Sequence, residues 1–208
     1  MSYAFNKNKD TRLNLKQALF STVICYGALT VILGLAYPVA TSYLSDTFFY
    51  DKAHGSLIYD DKGEVRGSSL IGQSFKAQNG FFISRPSASD YNGMASGGYN
   101  LASTSQQLSK LIQNRALDIK EKYAVTGNIP TDMLTASASG LDYHISYKSA
   151  LLQAPYVAKV RNIAVKRIYD LIEKHTEQQF LSPAGIVNVT TLNMALYSLS
   201  SSDMKSVK

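Results

Sequence analysis

Three side chains with the chemistry of a nucleophilic catalytic site lie close together in the segment Ser139–Ser146. Ser139, Asp142 and His144 would supply the hydroxyl, carboxylate and imidazole of an acyl-transfer triad. Adjacency in sequence does not give triad geometry, and the chain has no Gly-x-Ser-x-Gly motif of the hydrolase nucleophile. We therefore expect a polar turn that leads into a helix, with Ser146 as its N-cap, and keep a serine hydrolase as the alternative.

Phosphate and metal sites receive little support from the sequence. Gly67–Ser74 has the spacing of a phosphate-binding Gly-x-x-x-x-Gly-Lys-Ser/Thr loop, but Gln73 replaces the lysine whose charge holds the phosphates. We expect a structural turn there. The three histidines, His54, His144 and His175, are far apart and there is one cysteine, so we predict no metal site.

The net charge of +6 is concentrated near the N-terminus. Before residue 17 the chain carries four basic side chains against one acidic one, namely Lys7, Lys9, Arg12 and Lys16 against Asp10. Half of the excess charge therefore lies in this arm, and residues 17–208 are close to balanced. Because no dense basic tract alternates with aromatic residues, we expect no nucleic-acid binding.

An uncharged stretch from Gln17 to Ser45 follows the basic arm. It exceeds the roughly 20 residues that a helix needs to cross a hydrocarbon core, and we predict a transmembrane helix from about Leu19 to about Val39. The basic flank favours an N-terminus in the cytoplasm. A cleaved signal peptide is the alternative, because Gly34-Leu35-Ala36 resembles a cleavage site, but the apolar run is longer than a signal sequence needs.

These features divide the chain into three parts. Residues 1–17 are predicted to form a cytoplasmic basic arm, residues 18–44 a transmembrane helix with its interfacial flank, and residues 45–208 an extracytoplasmic domain. Cys25 lies in the predicted span, so the exported part has no thiol, as suits an oxidising exterior. We expect this domain to have an α+β or α/β fold, anchored by the single N-terminal helix.

Strand signals occur in both halves of the predicted domain. A hairpin is expected over Ser56–Ser68 around the turn Asp60-Asp61-Lys62-Gly63, and Phe81–Ser84 has the composition of a further short strand. Ser87–Ser105 is rich in serine, glycine and asparagine and is expected to be a loop. Val187–Val189 is predicted to be the last strand.

Helical periodicity occupies the rest of the domain. Ser103 is expected to open a first helix through a capping box, and Gly127 to end it. Pro155 suits the first turn of a second helix, and His175 suits its last turn, where a cation complements the helix dipole. Thr190–Leu199 is predicted to be a short final helix.

Several short segments, taken in order, resemble one family. They are Ala53–Ile58, Gly67–Gln73, Phe82–Ala88, Ser139–Ser146, Gln153 with Val157, Ala158 and Arg161, His175–Glu177, and Val187–Val189 with Leu192 and Asn193. Preceded by a single span, this ordered set resembles the C subunit of the Kdp-type potassium-transporting P-type ATPase of bacteria and archaea. The sequence departs from the family pattern at Tyr143, where the family commonly has proline, and at His54, where it has asparagine.

The resemblance implies a non-catalytic accessory subunit in a bacterial or archaeal plasma membrane. Its implied partners are a channel-like potassium-translocating subunit, a P-type ATPase subunit and a small single-span subunit. The family is described as a catalytic chaperone that raises the ATP affinity of the ATPase subunit, so no tightly bound cofactor is expected and ATP is expected only through the complex. Carried over to this sequence, the nucleotide-binding candidates are Ser139, Gly140, Asp142, His144 and Gln153.

One part of this implication conflicts with the predicted topology. ATP is cytoplasmic, whereas the basic arm places residues 45–208 outside. We give more weight to the charge asymmetry, because its basic residues lie close to the span, and expect the domain to brace the complex or to shape the potassium entry. A membrane-anchored extracytoplasmic enzyme of the serine-hydrolase kind, or an adaptor unrelated to transport, is the alternative.

Overall fold

The chain forms two compact units that divide between Ala53 and His54. The computed structural model describes residues 14–60, 62–179 and 182–205, so most of the predicted basic arm lies outside the described residues. The first unit consists of helix α1 (Leu15–Val31), a π-helical turn (Ile32–Ala36), helix α2 (Tyr37–Phe48) and the short helix α3 (Tyr50–Ala53).

The first three of these elements form one continuous apolar helix. Leu15–Phe48 has 34 residues and is, among the described residues, the one helix that is long and apolar enough to cross a membrane. It extends past the predicted interval 18–44 at both ends, and its later threonines are hydrogen-bonded within the helix. Thr41 Oγ1 donates to the Tyr37 carbonyl at 2.9 Å, and Thr47 Oγ1 donates to the Tyr43 carbonyl at 2.7 Å.

Pro38 explains the π-helical turn in this helix. Proline has no N–H, and its ring clashes with the carbonyl four residues earlier, which here belongs to Gly34. The helix widens by one residue at this point, and the Tyr37 N–H donates to the carbonyl of Ile32, five residues back. The proline is thus accommodated without ending the helix.

The second unit combines helices with antiparallel sheets. Its elements are β1 (Leu57–Tyr59), β2 (Val65–Ser68), α4 (Gln106–Tyr123), α5 (Thr131–Leu134), β3 (His144–Ser146), α6 (Tyr147–Arg161), α7 (Val165–Lys174), β4 (Thr176–Gln179), β5 (Ser182–Asn188) and α8 (Val189–Lys205). Strands β1 and β2 form a hairpin, and the other three form a sheet of order β3-β5-β4. All described pairings are antiparallel, so the mixed fold is of the α+β type.

The β1–β2 hairpin confirms the sequence prediction, and Asp60 holds its turn. The Asp60 carboxylate accepts hydrogen bonds from the N–H groups of Lys62 and Glu64, both at 2.9 Å, and from Nε of Arg66 at 2.8 Å. The hydrogen bond from the Glu64 N–H is the leading cause that lowers the pKa of Asp60 below its usual value, and Arg66 adds to it.

Several helix boundaries differ from the prediction, and α4 begins at Gln106, after Ser105 and not at Ser103. Pro155 lies inside α6, which begins at Tyr147 because Ser146 Oγ accepts from the Ser149 N–H and caps the helix. Asn162 ends α6 in the left-handed conformation, at φ 55°, so the predicted second helix is two helices. Helix α4 ends before Gly127, because Ala124 already adopts φ 52°.

Segment 81–84 is not a strand, although its composition predicted one. The Phe82 N–H donates to Oδ1 of Asn193 at 2.9 Å, and Asn193 Nδ2 donates to the Phe82 carbonyl at 2.9 Å. Gln153 binds Ile83 in the same manner: the Ile83 N–H donates to Oε1 of Gln153 at 2.8 Å, and Gln153 Nε2 donates to the Ile83 carbonyl at 3.2 Å. Two side-chain amides thus provide the hydrogen bonds that a neighbouring strand would otherwise provide.

The main core surrounds this segment. Phe82, Gln153 and Asn193 are each fully buried. The apolar residues that pack with Phe82 come chiefly from α6, α7, β5 and α8: Ala150, Ala154, Val157, Ile168, Ile172, Val187, Val189, Leu192 and Leu196. A smaller cluster of Ile119, Tyr123 and Met133 lies between α4 and α5. The buried amides are therefore part of the core itself.

The lowered pKa of Asp60 gives a testable prediction. Its carboxylate contributes stability that is present above its unfolded-state pKa and is lost as the pH falls through the lower folded-state pKa. We expect an NMR acid titration of the Lys62 and Glu64 amide shifts to have its midpoint below the usual aspartate value. Asp60→Asn should remove the transition, and a midpoint at or above the usual value would contradict the hydrogen-bonded turn.

Candidate functional site

The first half of segment 139–146 is held by hydrogen bonds that its backbone carbonyls accept from other parts of the chain. The Ser139 carbonyl accepts from the Gly97 N–H at 2.8 Å and from Ser96 Oγ at 3.0 Å. The Gly140 carbonyl accepts from Ser87 Oγ at 2.7 Å. Gly140 has φ +70°, and a Cβ there would lie 2.4 Å from Ser89 Oγ, so only glycine fits.

Asp142 and Arg85 form the ion pair of this segment. Nη1 of Arg85 lies 3.1 Å from Oδ2 of Asp142, and both side chains are about one quarter exposed, at 28%. The other oxygen of Asp142 accepts from the His144 N–H at 3.0 Å. Nη2 of Arg85 also donates to the Ala136 carbonyl at 3.4 Å. Both carboxylate oxygens are thus engaged in holding the chain.

The predicted triad residues are brought near one another only along the chain. Ser139 Oγ accepts from the Leu141 N–H at 3.1 Å, which forms a local turn. The His144 ring lies against the Tyr143 ring at 4.1 Å between centroids. Asp142 pairs with Arg85 and with a backbone N–H, whereas a catalytic triad needs this carboxylate on the imidazole. The polar turn expected from the sequence is what the structure contains.

A second polar network joins the end of the segment to helix α6. The Asp132 carboxylate accepts from the Ser146 N–H at 2.7 Å and from Ser149 Oγ at 2.7 Å. A carboxylate at a helix N-terminus also complements the helix dipole. Asp132 therefore stabilises the start of α6. Capping patterns in the sequence do not reveal this role, because a loop and strand β3 separate Asp132 from the helix.

Gln153 lies apart from the segment, in the core. Its Oε1 accepts from the Ile83 N–H, its Nε2 donates to the Ile83 carbonyl, and the Tyr123 hydroxyl is 3.4 Å from Oε1. In this conformation both the oxygen and the nitrogen of the Gln153 amide are hydrogen-bonded to Ile83, so contact with a nucleotide requires these bonds to break. The assignment of Gln153 to a nucleotide site stays a prediction.

Three of the five predicted site residues contact segment 83–87. Ile83 binds Gln153, Arg85 pairs with Asp142, and Ser87 binds Gly140. Along this segment every second residue contacts one of the predicted positions, which sequence spacing did not reveal. Ser139 precedes Gly140 in the chain, and its Oγ accepts from the Leu141 N–H. The His144 N–H donates to the Asp142 carboxylate.

Tyr91 and two unpaired atoms complete the surroundings of Arg85. The Tyr91 hydroxyl donates to the Arg85 carbonyl, and burial raises the pKa of Tyr91 to about 12, with Asp90 adding to the shift. Ser84 Oγ and Arg85 Nε are buried without a hydrogen-bond partner among the described residues. Such atoms are sites where a bound water is expected.

The phosphate-loop near-match and His175 have structural roles. Gly72 donates its N–H to the Leu141 carbonyl at 2.8 Å, and a Cβ there would lie 2.6 Å from the Asp142 carbonyl oxygen. Segment 67–74 thus packs against the polar turn. His175 Nδ1 lies 2.9 Å from the Leu171 carbonyl at the end of α7. The described part of the chain contains no group of three potential metal ligands.

Comparison with known proteins identifies relatives over most of the chain. Residues 19–198 match the family described as K+-transporting ATPase, c chain (KdpC). A potassium-transporting ATPase KdpC subunit from Pectobacterium atrosepticum is 44% identical over 183 residues, which are 86% of this chain and 95% of that protein. The protein of the same name from Methanosphaerula palustris is 40% identical over 88% of this chain and 98% of its own length. That from Escherichia coli is 42% identical over 81% and 90%, respectively.

Gln153→Ala tests the structural role of the buried amide. The substitution leaves the N–H and carbonyl of the partly buried Ile83 without the amide that binds them, and we expect the free energy of unfolding to fall by about 2–4 kcal/mol. The measurement is urea unfolding of the full chain in mild detergent. Lys148→Ala, an exposed site on the same helix, is the control and should change it by less than about 0.5 kcal/mol. Equal effects of the two substitutions would contradict the role.

Proposed function

This chain belongs to the KdpC family of K+-transporting ATPase c chains, and we propose that it is the accessory subunit of a high-affinity, ATP-driven potassium uptake complex. The observation that carries the proposal is the extent of the match, which includes both the apolar helix and the domain. The relatives are also matched over nearly their whole length, up to 98%. The similarity therefore concerns an entire subunit.

The geometry of the polar turn supports a subunit without catalysis of its own. Its carboxylate, Asp142, pairs with Arg85, and its hydroxyl, Ser139, closes a local turn. A general base needs to reach the proton of its nucleophile, directly or through one water. Here the groups with the chemistry of a triad hold loops together. We propose that the domain braces the complex mechanically and performs no bond cleavage.

The proposed topology is a single pass with the N-terminus in the cytoplasm. The basic residues before residue 17 and the acidic residues Asp46 and Asp51 at the far end of the helix support it. The second unit then lies outside the plasma membrane of a bacterium or archaeon. All large apolar side chains on the helix are exposed in the isolated chain, so lipids or the helices of partner subunits must cover them.

The proposed partners are a channel-like potassium-translocating subunit, a P-type ATPase subunit and a small single-span subunit. The ion pathway and the phosphorylated aspartate belong to those chains. We propose that this chain raises the ATP affinity of the ATPase subunit through the assembled complex. The hydrogen-bonded amide of Gln153 favours this indirect route over nucleotide contact by the domain, and the external topology just proposed agrees with it.

Growth at micromolar potassium tests the accessory role. Deletion of the gene should abolish growth, and the wild-type chain should restore it. Ser139→Ala is the matched variant, because it removes the hydroxyl that a hydrolase requires and changes only a local turn. We expect it to restore growth as well as the wild type. Normal growth of the deletion strain would contradict the proposal, and failure of Ser139→Ala would favour the hydrolase alternative.

Purification of the tagged chain in mild detergent tests the assembly directly. We expect large membrane subunits to co-purify with it, among them an ATPase chain that forms a phosphorylated intermediate. A chain that purifies alone from cells grown at low potassium would contradict the accessory role.

The indirect effect on ATP affinity has its own test. Gln153→Ala and Asn193→Ala each remove one of the two side-chain amides that bind segment 81–84. If the domain acts through the assembly, both variants should raise the KM for ATP of the purified complex in step with their loss of stability. A raised KM in Gln153→Ala alone, at matched stability, would assign Gln153 to direct nucleotide contact instead.

A further inference from the structure

The chain contains two asparagine–glycine dipeptides, Asn79-Gly80 and Asn92-Gly93. In such a pair the backbone nitrogen of glycine can attack the side-chain carbonyl carbon of the asparagine and release ammonia. Glycine favours the attack because it has no Cβ to obstruct the nitrogen and permits the backbone rotation that closes the five-membered ring. Sequence therefore marks both sites equally, and only their surroundings can distinguish them.

The surroundings of Asn92 suit this reaction. Asn92, Gly93 and Met94 are all exposed, and Met94 is exposed to 96%. Oδ1 of Asn92 accepts a hydrogen bond from the Met94 N–H at 3.0 Å, which turns the amide toward the following backbone and polarises its carbonyl. The Gly93 N–H donates no hydrogen bond to any described residue, so the attacking nitrogen is not held elsewhere. A Cβ at Gly93 would meet nothing within 4 Å, which leaves room for the ring.

The surroundings of Asn79 are unfavourable for the same reaction. Gly80 is buried, and its carbonyl accepts from Nε of Arg161 at 2.6 Å. Its φ is +77°, and a Cβ there would lie 2.9 Å from Cγ1 of Val160, so helix α6 packs directly on this glycine. Two residues later Phe82 is fixed by Asn193. The backbone rotation that ring closure needs is therefore blocked unless this part of the core opens.

We propose that Asn92 is a site of spontaneous covalent modification, in which the Asn92-Gly93 pair converts to aspartate and isoaspartate while Asn79-Gly80 is protected by the fold. The Gly93 nitrogen bonds to Cγ of Asn92, the Cγ–Nδ2 bond breaks, and ammonia leaves with the proton of the Gly93 N–H. Water then opens the succinimide at either carbonyl. The net change is one water consumed, one ammonia released and one negative charge gained, with no change of oxidation state.

The product would alter a loop that touches the polar turn. The Asn92 carbonyl accepts from the Ala95 N–H at 3.0 Å, and the loop then binds Ser139 through Gly97 and Ser96. An isoaspartate inserts one more carbon into the backbone at position 92, and the new carboxylate lies close to Asp90 in the chain. The change is therefore expected to loosen the turn at residues 92–95. This inference stands independently of the proposed function.

The test is incubation of the purified full chain in mild detergent at mildly alkaline pH, followed by peptide mapping with mass spectrometry. Isoaspartate is detected with a protein isoaspartyl methyltransferase. We expect conversion at Asn92 to proceed at least several-fold faster than at Asn79. Gly93→Ala should slow conversion at Asn92, because the added methyl group hinders the nitrogen while the open space at this position allows the variant to fold.

Incubation in concentrated urea is the matched control. Once the chain is unfolded, the two dipeptides should convert at similar rates, because only the fold distinguishes them. Equal rates at both sites in the folded chain, faster conversion at Asn79, or no conversion at Asn92 while the unfolded chain reacts would each overturn the proposal. A rate difference that persists in urea would show that flanking sequence, and not the fold, sets it.

Discussion

The backbone of Phe82 and Ile83 runs through the core, and its polar groups must find hydrogen-bond partners there. Phe82 is fully buried, and a buried peptide group without partners costs about 1–3 kcal/mol. Asn193 from α8 and Gln153 from α6 meet this need, each binding one residue through both its donor and its acceptor. The two amides fix α6 and α8 relative to segment 81–84. Strand β5 packs in the same core through Val187, so its position depends on these helices as well.

The same segment sets the position of the polar turn. From Ile83 the chain continues directly to Arg85 and Ser87, which hold Asp142 and Gly140. Gly72, from an earlier part of the chain, donates its N–H to the Leu141 carbonyl. The turn is therefore held by two separate segments, whose contacts engage its carbonyls and its carboxylate. In this structure the Asp142 carboxylate pairs with Arg85 and the Ser139 hydroxyl closes a local turn, so both groups make contacts that hold the chain.

Local signals were predictable, and contacts between distant residues were not. The hairpin around Asp60 and the helix after Ser146 depend on neighbours within a few residues, so turn and capping patterns indicate them. The amides that bind segment 81–84 come from 70 and 111 residues further along the chain, so an apolar run there resembles a strand. The ion pair of Asp142 with Arg85 spans 57 residues and leaves no periodic trace. The helix start predicted at Pro155 was wrong for a different reason. Proline is typical of a first helical turn, but here Pro155 lies inside α6.

The π-helical turn at Ile32–Ala36 changes which side chains of the long apolar helix share a face. One extra residue in a turn rotates everything beyond it by about 100° relative to an ideal helix. A stripe of side chains that is continuous up to Val31 is therefore carried around to another side after Tyr37. The two halves of the helix present different faces to a neighbour placed on one side. Counting along an ideal helix from Leu15 would assign the wrong neighbours to every position after the turn, while a helix with two faces has room for two different neighbours.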